Sequence, residues 1–447
     1  MASLSTREQH HHTTQRSDSN SNEPDEEILS TPELTGRTAA MPVQNLSVRR
    51  ALISGLCTLL IAMGIGRFAY TPILPEMQSA LGLTHAETGL LASLNYLGYL
   101  IGALSAGFLT SGRYRTLTFR TALLLSAATT GLMAATDWFS LWGCLRLLSG
   151  VISGLLFVIC ADMVMRVLAE AGKARLAGFY FGGVGIGIAL SGLLVPLLAN
   201  HGGWRADWIG LGVIAAVFAL PPFFWLRDRD RKAESSSAGI RPARGTAAER
   251  LPAGIVIPLS ILGLAYFLEG IGYIISGTFL VAILQTGTES AGAILGNADV
   301  GTLAWTMVGI AIVPSCLFWS WAAQRWGEIR AMIAAHLLQA IGIALPLWSK
   351  TLAPSLLAAA LFGGTFVGIS LLVVAYARKI APAYTAVAIG LMTAAFSLGQ
   401  ILGPLIAAAL AERSGSFDSS LMLSSIAVVT GAVLLLFLAR LTAQRLK

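Results

Sequence analysis

The chain has 447 residues, 55% hydrophobic and only 12% charged, with a formal net charge of +7 and a mean hydropathy of +0.71. Soluble domains carry about 25% charged residues, so a soluble enzyme or a nucleic-acid-binding domain is excluded as the bulk of this chain. The four cysteines (Cys57, Cys144, Cys160, Cys316) sit in apolar segments without a CxxC partner, which indicates neither a disulfide frame nor a metal site.

Residues 1–46 are polar, rich in Ser, Thr, Gln and Asn, with the acids Glu23, Asp25, Glu26 and Glu27. Such a stretch cannot bury enough apolar surface to order itself and is expected to be a disordered tail. It lacks a basic start followed by an apolar run, so it is not read as a signal peptide. His10, His11 and His12 are read as part of that tail. Apolar segments long enough to span about 30 Å of hydrocarbon follow near 50–74, 87–109, 117–136, 139–164, 175–199 and 207–226. A polar, Arg-, Ser- and Pro-containing linker over 227–253 interrupts the series. Six more segments lie near 255–284, 299–322, 330–349, 354–377, 384–411 and 417–439. The expected organisation is an all-α integral membrane protein of twelve transmembrane helices in two six-helix pseudo-repeats. Its parts are a tail (1–46), a first bundle (47–226), a cytoplasmic strap (227–253), a second bundle (254–440) and a short tail (441–447).

If the N-terminus is cytoplasmic, the cytoplasmic segments hold 25 of the 30 Lys and Arg. The external loops hold Arg205, Lys350 and Arg413, and Arg67 and Arg146 lie within spans. The long tail and linker supply part of that excess, but the short loops agree: Arg113, Arg115, Arg120, Lys173, Arg175, Arg325 and Arg330 fall inside. The positive-inside rule places both termini in the cytoplasm of a bacterial-type cell membrane.

The halves match in detail. Gly178, Gly187 and Ser191-Gly192 recur 212 residues later as Gly390, Gly399 and Gly403-Pro404. Arg166 and Arg378 share that offset, and Gly64-Ile-Gly66 has its counterpart in Gly270-Ile-Gly272. The loop Gly107-Phe-Leu-Thr-Ser111-Gly-Arg113 pairs with Ser320-Trp-Ala-Ala-Gln324-Arg325-Trp-Gly327.

Together these residues resemble the major facilitator superfamily over about 50–440. The Gly107–Arg115 stretch is similar to that family's loop between helices two and three. Arg146-Leu-Leu-Ser-Gly150-Val-Ile-Ser-Gly154 is similar to its fourth-helix motif. Gly390, Gly399, Gly403 and Pro404 resemble its helix-bending glycine-rich "antiporter" motif, here better kept in helix eleven than in helix five. The run Gly64-Ile-Gly-Arg67-Phe-Ala-Tyr70-Thr-Pro72-Ile-Leu-Pro75 is similar to the first helix of the YbfB/YjiJ-type branch. One departure matters: Ser111 and Gln324 stand where the family loop carries an acid, so a gate built on that carboxylate is not carried over.

Charged side chains at mid-membrane cost roughly 2.5–3.5 kcal/mol each, so they find a partner or face water. Three stand out. Arg67 lies beyond the midplane of an outward-running helix, with Tyr70 one turn later; it either meets a substrate anion or an ion-pair partner, or holds a carbonyl near Pro72. Glu269, near the middle of the seventh helix, is read as the one acid clearly deep within the spans. Tyr266, Tyr273 and Ser276 fall on its face. A lone carboxylate in a low-dielectric cavity suits a proton carrier, or else is a fixed structural group. The repeat aligns Arg67 with Tyr273, about one turn from Glu269, and the resemblance, which faces helices one and seven, implies an Arg67–Glu269 pair across the outer gate. Arg146 is either a coupling or substrate residue, as the fourth-helix motif implies, or packs on carbonyls. Asp162 and Arg166, spaced i,i+4, are expected with Arg113 and Arg325 in a cytoplasmic gate. Asn95, Tyr96, Tyr99, Thr365, Phe366, Phe396 and Gln400 either line a cavity or pack the core.

No HExxH spacing or Walker loop occurs, so neither an enzyme nor ATP-driven transport is indicated. The expected function is secondary transport of a small organic solute by alternating access, coupled to protons through Glu269 and directed outward. Uptake of an organic anion is the alternative in direction, and a non-transporting ligand sensor the alternative in class. No cofactor is expected. The expected partners are solute, protons and the lipid bilayer, with no nucleic acid, and the protein is expected to be a monomer.

Overall fold

The computed structural model describes residues 47–109, 114–227, 252–285 and 299–444. Every regular element among them is helical, and twelve helices are long and apolar enough to cross a bilayer. They are α1 (Val48–Leu81), α2 (His85–Leu109), α3 (Arg115–Leu132), α4 (Phe139–Glu170), α5 (Ala177–Ala199) and α6 (Gly203–Trp225). The second set is α7 (Ala253–Gln285), α8 (Val300–Trp326), α9 (Glu328–Ala344), α10 (Leu352–Ile380), α11 (Thr385–Ser414) and α12 (Asp418–Gln444). Arg113 and Ser111, the 1–46 tail and most of the 227–253 linker lie outside the described residues.

The burial pattern is that of helices facing lipid on one side and each other on the other. Ile101 and Leu104 of α2, Leu197 of α5, Val213 of α6, Ile310 of α8 and Phe437 of α12 are all exposed. In water such a surface would drive association, whereas hydrocarbon solvates it. Without a hydrophobic force between helices in lipid, association relies on close packing of small residues. Between α2 and α4 this is explicit. A Cβ on Gly98 or Gly102 would collide with the carbonyl oxygen of Leu147 or Val151, and one on Gly150 with that of Asn95. The fourth-helix glycine motif thus seats α4 directly on the backbone of α2.

The helices α1–α6 pack mainly on one another, as do α7–α12, and two pairs cross between the sets most extensively: α2 with α11, and α5 with α8. The crossings use the same device. Gly185 of α5 and Gly309 of α8 meet backbone to backbone, each Cβ position 2.5 Å from the other's carbonyl oxygen. On α2, a Cβ at Gly89 would come 2.7 Å from the Pro404 carbonyl oxygen of α11. Gly399 and Gly403 press against Phe267, Ile271 and Ile274 of α7, whereas a Cβ at Gly390 would meet nothing within 4 Å. The glycine motif of α11 therefore works as a packing surface at its second and third glycines only.

α1 runs past the expected end near residue 74 to Leu81, where Gly82 caps it with φ +66°. It is not a regular helix. A π turn over Leu60–Ile65 and a turn through residues 66–69 interrupt it. The amide of Gly66 bonds to the carbonyl of Ile61 (2.8 Å) and that of Phe68 to Met63 (3.0 Å), a five-residue register. Pro72 has no N–H for the carbonyl of Phe68, which instead accepts from the amide of Thr71 (3.2 Å). Arg67 sits in this break.

Candidate functional site

The break leaves backbone carbonyls without helical donors in an apolar interior, where each unpaired group costs on the order of several kcal/mol. Two side chains of α4 supply the donors. Ser149 Oγ donates to the Gly66 carbonyl at 3.0 Å. Arg146, 1% exposed, reaches the carbonyls of Leu91 (3.4 Å), Gly66 (3.4 Å) and Arg67 (3.5 Å), with its guanidinium 4.6 Å from the Tyr70 ring centroid. Asn95 Nδ2 in turn donates to the Arg146 carbonyl (3.0 Å), and the Tyr70 hydroxyl to the Thr88 carbonyl (3.0 Å). Of the two roles open to Arg146 in the sequence, the carbonyl-holding one is what the geometry displays. Arg146, Ser149, Asn95 and Tyr70 together fix the irregular segment that presents Arg67.

Arg67 spans the two helix sets. Its guanidinium donates to Gln400 Oε1 of α11 at 2.8 Å, and Gln400 Nε2 bonds to the Tyr273 hydroxyl of α7. The guanidinium lies 4.7 Å from the Tyr96 ring centroid and 4.4 Å from that of Tyr99, both on α2. Arg67 Nε, buried, has no acceptor among the described residues. Arg67 and Tyr273 thus share one hydrogen-bond partner, Gln400.

Facing Arg67 is a wall of stacked rings. Tyr266 stacks on Phe396 at 4.2 Å and 11°, Tyr273 on Phe396 at 5.2 Å and 6°, and Tyr273 on Phe366 at 5.1 Å and 15°. Further cross-set contacts lie on the side away from the termini: Thr71 Oγ1 donates to the Gly277 carbonyl (2.6 Å), Tyr96 shares a hydrogen bond with Thr278 (3.1 Å), and Trp305 Nε1 donates to Ser191 Oγ (3.2 Å). Phe68 packs edge-on against Phe366 at 6.3 Å. The constellation offers one buried cation with an open donor, a neighbouring amide and flat aromatic surfaces. These are the groups that recognise a planar or anionic solute: a cation, an amide and flat apolar faces.

Two expectations need correction. Arg67 and Glu269 do not pair: Arg67 is engaged by Gln400, while Glu269 points away from it, towards α9, where Gln339 Nε2 donates to its Oε1 at 2.7 Å. Tyr266 and Tyr273 turn to Phe396 instead, so the i,i+3 and i,i+4 spacings do not carry these tyrosines and Glu269 to one cavity. Asp207 of α6 is fully buried, with Glu76 of α1 its electrostatic neighbour. Hydrophobicity alone starts the sixth span at residue 207, whereas α6 begins at Gly203 and carries Asp207 just past its first turn. His336 and Gln339, one turn apart on α9 and both fully buried, are absent from the expected site. Polar side chains inside an apolar span are the signal that could have found them.

At the terminus-bearing end, Asp162 accepts from Arg166 (2.7 Å and 3.1 Å) and bonds to Arg115 of α3. These bonds tie α3 to α4 within one helix set. Arg325 is exposed in the last turn of α8.

Residues 59–436 match the family model described as "Uncharacterised MFS-type transporter YbfB". The chain is 27% identical over 180 residues to a gallate transporter of Pseudomonas putida, and 28% identical over 263 residues to a 2-nitroimidazole transporter of Escherichia coli K12. These matches take in 39% and 57% of this chain, and 39% and 64% of the relatives, less than two thirds of either. Among solved structures, that of the nucleoside transporter NupG superposes with a TM-score of 0.68 at 16% identity, covering 89% of this chain and 98% of that one. That likeness establishes the fold.

Proposed function

The chain belongs to the MFS-type transporters of the YbfB family, a family of multi-pass membrane proteins, and we propose on that premise that it is a secondary active transporter of a small organic solute. The six-helix sets 47–226 and 254–440 act as two bundles that rock about the site between them. The observation that carries this reading is the Arg67–Gln400 hydrogen bond (2.8 Å), which joins the two sets within the aromatic wall. A site whose polar bridge must break for the bundles to separate couples solute occupancy to conformation, as alternating access requires.

The lining narrows the solute. A guanidinium held over tyrosine rings, with its Nε unpaired, favours a planar solute carrying negative charge or a strong acceptor. The gallate and 2-nitroimidazole transporters among the relatives carry planar solutes by name, which supports the same class. Transport is coupled to protons through Glu269, and export is the proposed direction. Arg67 favours a second reading, uptake of an organic anion with the proton. The protein works as a monomer in the bacterial cytoplasmic membrane with both termini cytoplasmic. Its Asp162–Arg166 pair, with Arg113 and Arg325, closes the cytoplasmic side in the alternate state.

Counterflow in proteoliposomes tests the site. Saturable exchange of a planar aromatic acid or nitroheterocycle, competed by its analogues and weakened in Arg67→Lys, is the expected result. Transport of such solutes at the wild-type rate by Arg67→Lys would contradict it.

A further inference from the structure

Glu269 and His336 stand apart from the solute site and make an incomplete set of hydrogen bonds. His336 Nδ1 lies 2.8 Å from the Met332 carbonyl oxygen. A carbonyl only accepts, so Nδ1 carries the hydrogen and Nε2 of the neutral ring is an acceptor. Nε2 points at Glu269 Oε2, 4.0 Å away. A carboxylate oxygen is also an acceptor. Neither atom has a hydrogen-bond partner among the described residues, and both side chains are 1% exposed. The other oxygen, Oε1, is held by Gln339 Nε2 at 2.7 Å. Two buried acceptors thus face each other with no donor between them, in a place where an unsatisfied polar atom is costly.

One proton resolves the arrangement, and only one is needed. On Oε2 it makes a carboxylic acid that donates to Nε2; on Nε2 it makes an imidazolium that donates to the carboxylate. The gap exceeds hydrogen-bond length, but the terminal torsion of a glutamate is soft and a small rotation of the carboxyl closes it. The pair carries one net negative charge without the proton and none with it. We infer that Glu269 and His336 form a single-proton binding site closed between α7, α9 and α12, and that the proton coupled to transport resides on the pair rather than on Glu269 alone. The inference deepens the proposed coupling role of Glu269 and rests on it for its meaning in transport.

Gln339, which holds Glu269, has its own Oε1 buried without a partner among the described residues. From α12, Gly431 lies against the imidazole, with a Cβ position 3.2 Å from its Cδ2. On α7, the titratable neighbour is Tyr266, three residues before Glu269. At Gly342, α9 lies against Ala358, Leu361 and Phe362 of α10. From α11, Phe396 stacks on Tyr266.

Infrared difference titration of the full chain in nanodiscs tests the site without reference to transport. The expected result is one protonation step in which carboxyl and imidazole bands change together, lost in both Glu269→Gln and His336→Asn. Asn keeps a donor near Met332 while removing Nε2, and a melting curve identifies variants that fold. A carboxyl band that titrates in His336→Asn as in wild type would overturn the inference, as would separate steps for the two groups. Proton-driven accumulation of solute then separates the two claims. If the pair holds the coupled proton, the single variants and the double variant all lose accumulation to the same extent, within about twofold, as residues acting as one unit do. Accumulation retained in His336→Asn, with the wild type proton-driven, overturns the inference. Wild-type flux indifferent to a proton gradient, with the shared infrared step present, contradicts the proposed coupling but supports the pair.

Discussion

A single residue, Arg67, concentrates the account, and the physics that holds it is separable from the physics it performs. Its position depends on Arg146 and Ser149, which satisfy the carbonyls of the α1 break. Removing Ser149 Oγ leaves a buried carbonyl short of a donor, so Ser149→Ala is expected to cost about 1 kcal/mol. Arg146→Gln is expected to cost about 3 kcal/mol, because three carbonyls and the face of Tyr70 lose their common partner. Both are read as losses of thermal stability in detergent, and an unchanged melting temperature for Arg146→Gln would count against its structural role. Arg67→Lys should behave differently. It keeps the charge but loses the planar group lying over Tyr96 and Tyr99, so about thirtyfold of solute affinity is expected to go, with melting little changed, in line with a desolvated cation–π contact of about 2 kcal/mol. From the sequence, an Arg in a span followed by Pro72 already pointed to a special segment. Its partner did not, because Gln400 lies 333 residues away and only packing brings the two together.

Between helices, the decisive quantity is how closely backbones approach. Gly399 faces Phe267 so closely that a Cβ would collide with its carbonyl oxygen, while Gly390, nine residues earlier on the same helix, faces open space. Alanine is therefore expected to have opposite effects at the two sites. Gly399→Ala forces α11 off α7 and should cost about 1–3 kcal/mol, as overpacking does. Gly390→Ala should stabilise by about 0.5–1 kcal/mol, through the better helix propensity of alanine. Parallel thermal unfolding of the two variants checks this, and equal effects would contradict the packing assignment. The repeat made both glycines legible as one motif; spacing alone does not distinguish a glycine that contacts from one that does not. The span limits were largely readable too, because apolar runs of about 20 residues have few other uses. They fall short by four to seven residues at the ends of α1, α4 and α12 and at the start of α6, where a proline, polar last turns or a buried Asp resemble boundaries. Pro75 sits inside the helix that Gly82 ends, and Asp207 sits inside α6.

At the scale of the molecule, the structure is closed on the side away from the termini. Arg67–Gln400, Thr71–Gly277, Tyr96–Thr278 and the Phe68–Phe366 contact all join the two helix sets there. The bonds of Asp162 to Arg166 and Arg115, at the other end, stay within the first set. Gln400→Leu, which removes the bridge to both Arg67 and Tyr273, is expected to loosen that closure and increase labelling of a cysteine placed at Thr71 by a membrane-impermeant thiol reagent, in a background whose native cysteines are replaced. Unchanged labelling would show that the bridge does not hold the closed side. Twelve spans and their twofold repeat could be read from hydrophobicity. The separation of Arg67 from Glu269 and His336 could not, since it depends on which way Glu269 points within α7. The measurement that tests the central claim most directly is proton movement in proteoliposomes carrying a pH-sensing dye, on addition of planar organic acids and nitroheterocycles. The account predicts saturable, solute-dependent proton flux that disappears in Glu269→Gln while solute counterflow persists. Saturable solute flux with no accompanying proton movement, or proton flux unchanged in Glu269→Gln, would contradict it.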